Sequence, residues 1–393
     1  MSKNNYKPLG DYIEQVNIRN RELLDVPLLG VSVQKIFIPS IANTVGTDFS
    51  KYKVLEKNQF TYIADTSRRG DKIGVAHLKD YDKALVSQAY TTFKITNEEK
   101  LNSDYLMMWF VRPEFDRYAR YHSYGSVREV FDWDAMCNVM LPVPPIEEQQ
   151  KIVAQYQAVE NKIKTNEQIC EKLEETAQAI YKEWFVDFNF PNEDGKPYKD
   201  NGGKMVWNDE LEKEVPAGWE VKELSEISTI TMGQSPSGES YNEDGIGEVF
   251  YQGRTDFGYR IPSIRMFTTE PKRMAEKGDV LMSVRAPVGD LNITNNNCCI
   301  GRGLASIRSK ESSYTFYLLK DFKTYFDLSE GTGTIFSSIT KEELHKLNFI
   351  YNNKTAILFN SLIKNIDNII ISKSKLNIKL SELKELLLTR LVK

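Results

Sequence analysis

The chain has 393 residues, 41% hydrophobic and 27% charged, too apolar for a disordered chain and long enough for two or three domains. It holds no run of 18 apolar residues and starts on a polar stretch, so neither a membrane span nor a secretion leader is expected; four cysteines without a CxxC pair point to a reducing cytoplasm rather than to a disulfide or zinc framework. The net charge of −4 argues against unselective coating of nucleic acid, but it is segregated: 19 basic against 18 acidic residues in 1–145, 9 against 16 in 146–215, 15 against 18 in 216–350 and 8 against 3 in 351–393.

Residues 1–145 read as a β-rich part, with β-forming runs at Gly30–Val33 and Phe60–Ile63 between Gly, Asn and Asp turns and a helical stretch near 98–120. Pro144-Pro145 and Glu147-Glu148 then put proline and acid where a helix starts. Across 146–187 the positions 156, 159, 163, 166, 170, 173, 177, 180 and 184 carry Tyr, Val, Ile, Asn, Cys, Leu, Ala, Ile and Trp, the seven-residue repeat of a coiled-coil seam. A helix of about 40 residues reaches roughly 60 Å. Residues 188–218, with Pro191, Gly195, Pro197, Gly202, Gly203, Pro216 and Gly218, are expected to form a linker. A second β-rich part at 219–350 carries the run Val280–Val284 and a helical stretch near 311–326; its stretch 251–308 places seven arginines and two lysines against five acids. The last segment, 351–393, predicts a second long helix whose seam runs Phe359, Ile363, Ile366, Ile370, Lys373, Asn377, Leu380, Lys384, Leu387 and Leu391, with Leu376 and Leu383 widening it. Asn166 and Asn377 are polar seam residues of the kind that sets register.

The chain also repeats itself. Gly125-Ser126-Val127, Phe131, Asp132 and Met136 recur 208 positions later as Gly333-Thr334-Ile335, Ile339, Thr340 and Leu344, and Val159-Glu160-Asn161 and Ile163 recur 207 later as Ile366-Asp367-Asn368 and Ile370. A weaker match pairs the stretch from Arg69-Gly70-Asp71 to Ser87-Gln88-Ala89 with that from Lys277-Gly278-Asp279 to Arg302-Gly303-Leu304-Ala305. The expected fold is therefore α+β: two β-rich domains joined by two long antiparallel coiled-coil helices in a pseudo-two-fold repeat. No phosphate-binding loop, HExxH or GxSxG is present, the three histidines are scattered, and Asp194-Gly195-Lys196 lies in the linker without a positioned upstream acid. Binding rather than reaction is expected.

Several stretches together resemble the DNA-specificity subunits of type I restriction-modification systems. They are Leu141-Pro-Val-Pro-Pro-Ile-Glu-Glu-Gln-Gln150, Phe188-Asn-Phe-Pro-Asn-Glu-Asp-Gly-Lys-Pro-Tyr198, Pro216-Ala-Gly-Trp-Glu-Val-Lys-Glu-Leu224, Phe250-Tyr-Gln-Gly253, Ser283-Val-Arg-Ala-Pro-Val-Gly289 and Ile300-Gly-Arg-Gly303. The second copy departs at Tyr351-Asn352-Asn353, where the proline-rich helix start is lost. The resemblance implies two target-recognition domains, each reading half of a split DNA sequence, with the helices as spacer. It implies two methyltransferase and two restriction/translocase subunits as partners, and no cofactor on this chain; S-adenosylmethionine, ATP and Mg²⁺ would be used on the partners. As DNA-binding candidates, clustered donors single out Lys35, Ser67, Arg68, Arg69, Lys72 and Lys79 in the first domain, and Gln234, Ser235, Tyr251, Gln252, Arg254, Arg260, Arg285 and Arg302 in the second. Tyr181, Trp184 and Phe185 are candidate partner contacts. The competing readings are a coiled-coil adaptor without DNA specificity and a stand-alone nuclease.

Overall fold

A computed structural model describes residues 6–42, 45–66, 72–125, 129–330 and 338–391, the helix at 324–330 by its backbone alone. The chain forms two compact units, Met1–Lys162 with Leu380–Lys393, and Ile163–Lys379, and each long helix contributes to both.

In the first unit, strands β1 (Ile13–Val16), β2 (Phe60–Tyr62), β3 (Val75–His77) and β4 (Thr91–Ile95) make an antiparallel sheet in the order β1-β4-β2-β3. All three residues of β2 are buried, and the Thr61 hydroxyl donates to Thr91 O at 3.0 Å. Helix α1 (Ser103–Val111) starts where the Asn102 side chain accepts from the Asp104 and Tyr105 amides, and α2 (Pro113–Tyr121) starts on proline. They bring Phe110 and Phe115 against Phe60, Phe93 and Phe131. After α3 (Trp133–Cys137) the chain enters α4 (Ile146–Tyr181), which ends in one π-helical turn, Lys182–Val186. Buried Gln149 ties the first turns of α4 to the β-rich part: its amide donates to Lys100 O and Pro144 O and accepts from Asn102 N.

In the second unit β5 (Thr229–Met232), β6 (Val280–Ser283), β7 (Leu291–Ile293) and β8 (Leu304–Arg308) repeat that order, β5-β8-β6-β7, followed by α5 (Ser312–Glu330), α6 (Lys341–His345) and α7 (Asn353–Arg390). The repeat extends to individual hydrogen bonds. The turn into β2 is closed by Asn58 N to Leu78 O, Gln59 N to Glu56 O, Leu78 N to Gln59 O and Glu56 N to Gln59 Oε1; the turn into β6 has Gly278 N to Thr294 O, Asp279 N to Glu276 O, Thr294 N to Asp279 O and Glu276 N to Asp279 Oδ2. The counterpart of Lys277-Gly278-Asp279 is thus Lys57-Asn58-Gln59, not Arg69-Gly70-Asp71, whose residues lie outside those described. Both turns need a left-handed residue, Asn58 at φ 66° and Gly278 at φ 96°. Beyond the strands, Phe131 N bonds Ala64 O as Ile339 N bonds Val284 O. Ser126, Val127 and Gly333-Thr334-Ile335 lie outside the described residues.

Residues 188–218, expected as a linker, are folded. A hairpin pairs Met205–Asn208 with Lys213–Pro216, and Phe185, Phe188 and Phe190 all pack on Trp219. Phe188 and Phe190 are thereby tied into the core of the second unit, which outweighs the Gly and Pro content of the segment. This packing also corrects the expectation for Tyr181, Trp184 and Phe185. They are 5, 8 and 4% exposed and form the core of the second unit with Tyr314 and Phe359, so none is a surface for a partner.

The helix seam is as expected. In the second unit Asn166 donates to Asn377 Oδ1 at 2.7 Å, Asn377 donates to Ile163 O at 3.3 Å, and Tyr181 meets Phe359, so the two helices run antiparallel. In the first, Glu160 pairs with Lys384 at 2.7 Å, and the Lys384 ammonium lies over the Tyr156 ring. Asn352 replaces the lost proline start, its side chain accepting from Thr355 N. Leu376 and Leu383 do not widen the seam: both are exposed, Leu376 on a row with Leu358, Leu362 and Ile369 of the second unit. No helix of the described residues is long and apolar enough to cross a membrane.

Candidate nucleic-acid interface

Three loops of the second unit meet at one end of its sheet. Gly233 N donates to Leu304 O, Gln234 N to Ile300 O, Gly301 N to Tyr251 O, Arg302 N to Ser235 Oγ and Val284 N to Gly303 O. These bonds bring Gly233-Gln-Ser, Gln252-Gly-Arg and Gly301-Arg-Gly together, with Arg285 beside them. The approach is so close that a Cβ on Gly233 would sit 2.2 Å from Gly301 O and one on Gly301 2.7 Å from Gln252 O, which explains glycine at both. Gln234, Gln252, Arg254, Arg285 and Arg302 are exposed and Ser235 half-buried. The result is a cluster of forked and amide donors on rigid backbone, suited to phosphates and base edges. Buried Asp256 holds the middle loop by accepting from Gln252 N and Gly253 N and from Arg265 Nε. Arg254 is pinned by Asp290; burial opposes ionisation of that carboxyl, but hydrogen bonds from Lys323 and Arg254 hold it below the usual range.

Two candidates in this unit are corrected. Tyr251 is fully buried, its hydroxyl donating to Asn296, because it ends the strand Glu248–Tyr251, which is paired on both sides in a second sheet of this unit. Arg260 is also 0% exposed: it donates to Asp367 at 3.0 Å, to Glu174 at 2.9 Å and to the Tyr317 hydroxyl, and lies 4.0 Å over the Phe316 ring. Lys320 completes the group on Glu174. Arg260 is an internal brace, not a DNA contact. The sequence signal for it was Asp367, an acid one place from a seam position.

In the first unit Lys35 is corrected likewise. It is 5% exposed and paired with Asp116 at 2.7 Å, and burial pushes its ammonium down. Lys72 is exposed and, with Arg117 and Arg120 of α2, lines a groove of about 540 Å³; neither arginine was anticipated, because α2 reads as an ordinary amphipathic helix. Ser67, Arg68 and Arg69 lie outside the described residues.

Lys79 is half-exposed and paired with Asp104, which also faces His77 Nδ1 at 3.5 Å. Burial opposes ionisation of Asp104, yet hydrogen bonds from His77 and Lys79 prevail and hold its pKa to about 2. A carboxyl depressed in the folded state stabilises fully above its unfolded value, near 3.8, and loses that contribution as pH falls through about 2. The unfolding midpoint of this unit is therefore expected to drop between pH 4 and 2, and D104N to flatten that drop; thermal melts of both proteins across this range check it. Among the described residues no group of three or more His, Cys, Asp or Glu is arranged to hold a metal.

The sequence was compared with known proteins. The family model described as the type I restriction modification DNA specificity domain matches residues 3–175 and 216–380, one match in each copy. MjaX of Methanocaldococcus jannaschii, provisionally named as a type I restriction enzyme specificity subunit, is 35% identical over 216 residues, 53% of this chain; the chain spans about half (48%) of that relative. The HindI specificity subunit of Haemophilus influenzae is 24% identical over 406 residues, 86% of this chain and 87% of that one. The crystal structure of a type I restriction-modification S subunit from M. genitalium matches with a TM-score of 0.60 at 13% identity, covering 98% of this chain and 95% of that one, a likeness of fold.

Proposed function

Because the chain belongs to the type I restriction-modification DNA specificity family, we propose that it selects the DNA sequence for such a complex, each β-rich part reading one half of a two-part target, and that it carries no catalysis itself. The observation that carries this is the pairing of two family matches with two sheets of one strand order, of which the second ends in a cluster of exposed Gln and Arg. Side chains of these types on rigid loops read adenine and guanine edges. The two copies share little sequence at their loops, so the two half-sites differ.

The same reading gives the helices two tasks: setting the distance between half-sites and docking methyltransferase subunits. Leu358, Leu362, Ile369 and Leu376 form an exposed apolar row on α7. This row, rather than the buried aromatics at the end of α4, supports the docking role. S-adenosylmethionine, ATP and Mg²⁺ would be used on the methyltransferase and translocase partners.

Base-resolved mapping of adenine methylation, with and without this chain and with the methyltransferase genes intact, tests the proposal. Methylated sites should follow an asymmetric two-part motif, vanish on deletion, and change in one half when residues 216–350 are exchanged for those of a relative. An unchanged pattern would transfer the weight to an adaptor or a nuclease.

A further inference from the structure

The repeated hydrogen bonds allow the interface of the second unit to be carried onto the first, loop by loop. Strand β8 is preceded by the turn Gly301-Arg302-Gly303-Leu304, closed by Leu304 N to Gly301 O at 3.0 Å; strand β4 is preceded by Ser87-Gln88-Ala89-Tyr90, closed by Tyr90 N to Ser87 O at 3.1 Å. Both strands lie between the same two neighbours of their sheets. Gln88 therefore stands where Arg302 stands. Like Arg302 it is exposed, and its side chain makes no hydrogen bond to the described residues. The turn is held from below, since Ser87 Oγ accepts from Ala89 N at 3.3 Å and Lys53 Nζ donates to Tyr90 O at 2.5 Å. The Lys53 backbone pairs with that of Arg19, in the segment that follows β1 as Gly233-Gln-Ser follows β5, and the Arg19 guanidinium donates to Lys51 O at 2.6 Å. A fixed turn thus presents a free amide at the end of the sheet, a group that reads the edge of a base.

Resting on the function proposed above, we infer that Gln88 is a specificity-determining residue of the first recognition domain, contacting one base of its half-site. The carboxamide can both donate and accept, which suits an adenine edge.

The test expresses the full chain with its methyltransferase partners in a host lacking the endogenous chain and maps methylation for wild type, Q88A, Q88S and R302A. Exchange of residues 216–350 in the wild type identifies which half-site each unit reads. Q88A and Q88S are expected to relax one position in the first unit's half-site, with discrimination there falling on the order of ten- to a hundredfold, while the other half-site stays intact. R302A should do the converse. A motif unchanged in Q88A and Q88S, or methylation lost at every site in both, overturns the assignment. A wild-type chain that sets no two-part motif overturns the reading beneath it and the assignment with it; a wild-type motif that Q88A leaves unchanged sinks the assignment alone.

Discussion

Replacing Arg260 with methionine is expected to destabilise the second unit by about 3–5 kcal/mol, the usual consequence of removing one member of a buried ion pair and stranding the other. For a unit of this size that is a fall of roughly 10 °C in the unfolding midpoint. The reason lies in what remains. Asp367 is 4% exposed and Glu174 is only slightly more accessible, and Arg260 is the one cation within hydrogen-bond reach of Asp367 among the described ion pairs. Without the guanidinium, Asp367 keeps only the Tyr317 hydroxyl at 3.3 Å, whereas Glu174 keeps Lys320. The double replacement R260M with D367L should recover more than half of the loss, because a neutral pair leaves no stranded charge. Calorimetric melts of the three proteins decide this, and a fall below about 1 kcal/mol in R260M would show that the brace carries little of the unit's stability.

Arg260 also marks where sequence reasoning stops. Seven arginines in 251–308 read as one basic surface, but Arg260 lies inside, Arg308, Arg265 and Arg254 pair with Asp279, Asp256 and Asp290, and Arg285 and Arg302 stand open beside the Gln234 loop. Composition gives the sign of a region, whereas the partner of each charge depends on contacts between segments far apart in the chain. Lys35 fails for the same reason, its carboxylate partner being 81 positions away. The seam, by contrast, was legible down to the Asn166–Asn377 pair, because a heptad repeat is a local signal sustained over many turns. The β repeat was legible only in part. Lys57-Asn58-Gln59 and Lys277-Gly278-Asp279 make the same turn with one identical residue, since the turn demands a left-handed backbone and a side-chain acceptor, and Asn with Gln meets that demand as well as Gly with Asp.

Deleting one heptad from each long helix is expected to shorten the gap between the two half-sites by about three base pairs. Residues 163–169 and 372–378 face each other in the antiparallel register given by Asn166 with Asn377 and Cys170 with Ile370. Removing both sets leaves the flanking seam positions opposed and takes out the two asparagines together, so no seam amide is left without its partner. Seven residues shorten a helix by about 10.5 Å. At about 3.4 Å per base pair this corresponds to three steps of the duplex. A heptad turns the helix by only about 20° away from whole turns, whereas three base pairs turn the duplex by about 100°, so the DNA has to be twisted to bring both shortened half-sites into reach, and methylation is expected to weaken as well. Deleting a heptad from one helix alone should abolish methylation, because the remaining seam residues no longer meet. Methylation mapping reads the gap directly: both half-sites retained with a gap shorter by three supports a spacer role for the helices, and an unchanged gap in the paired deletion shows that something else fixes the separation.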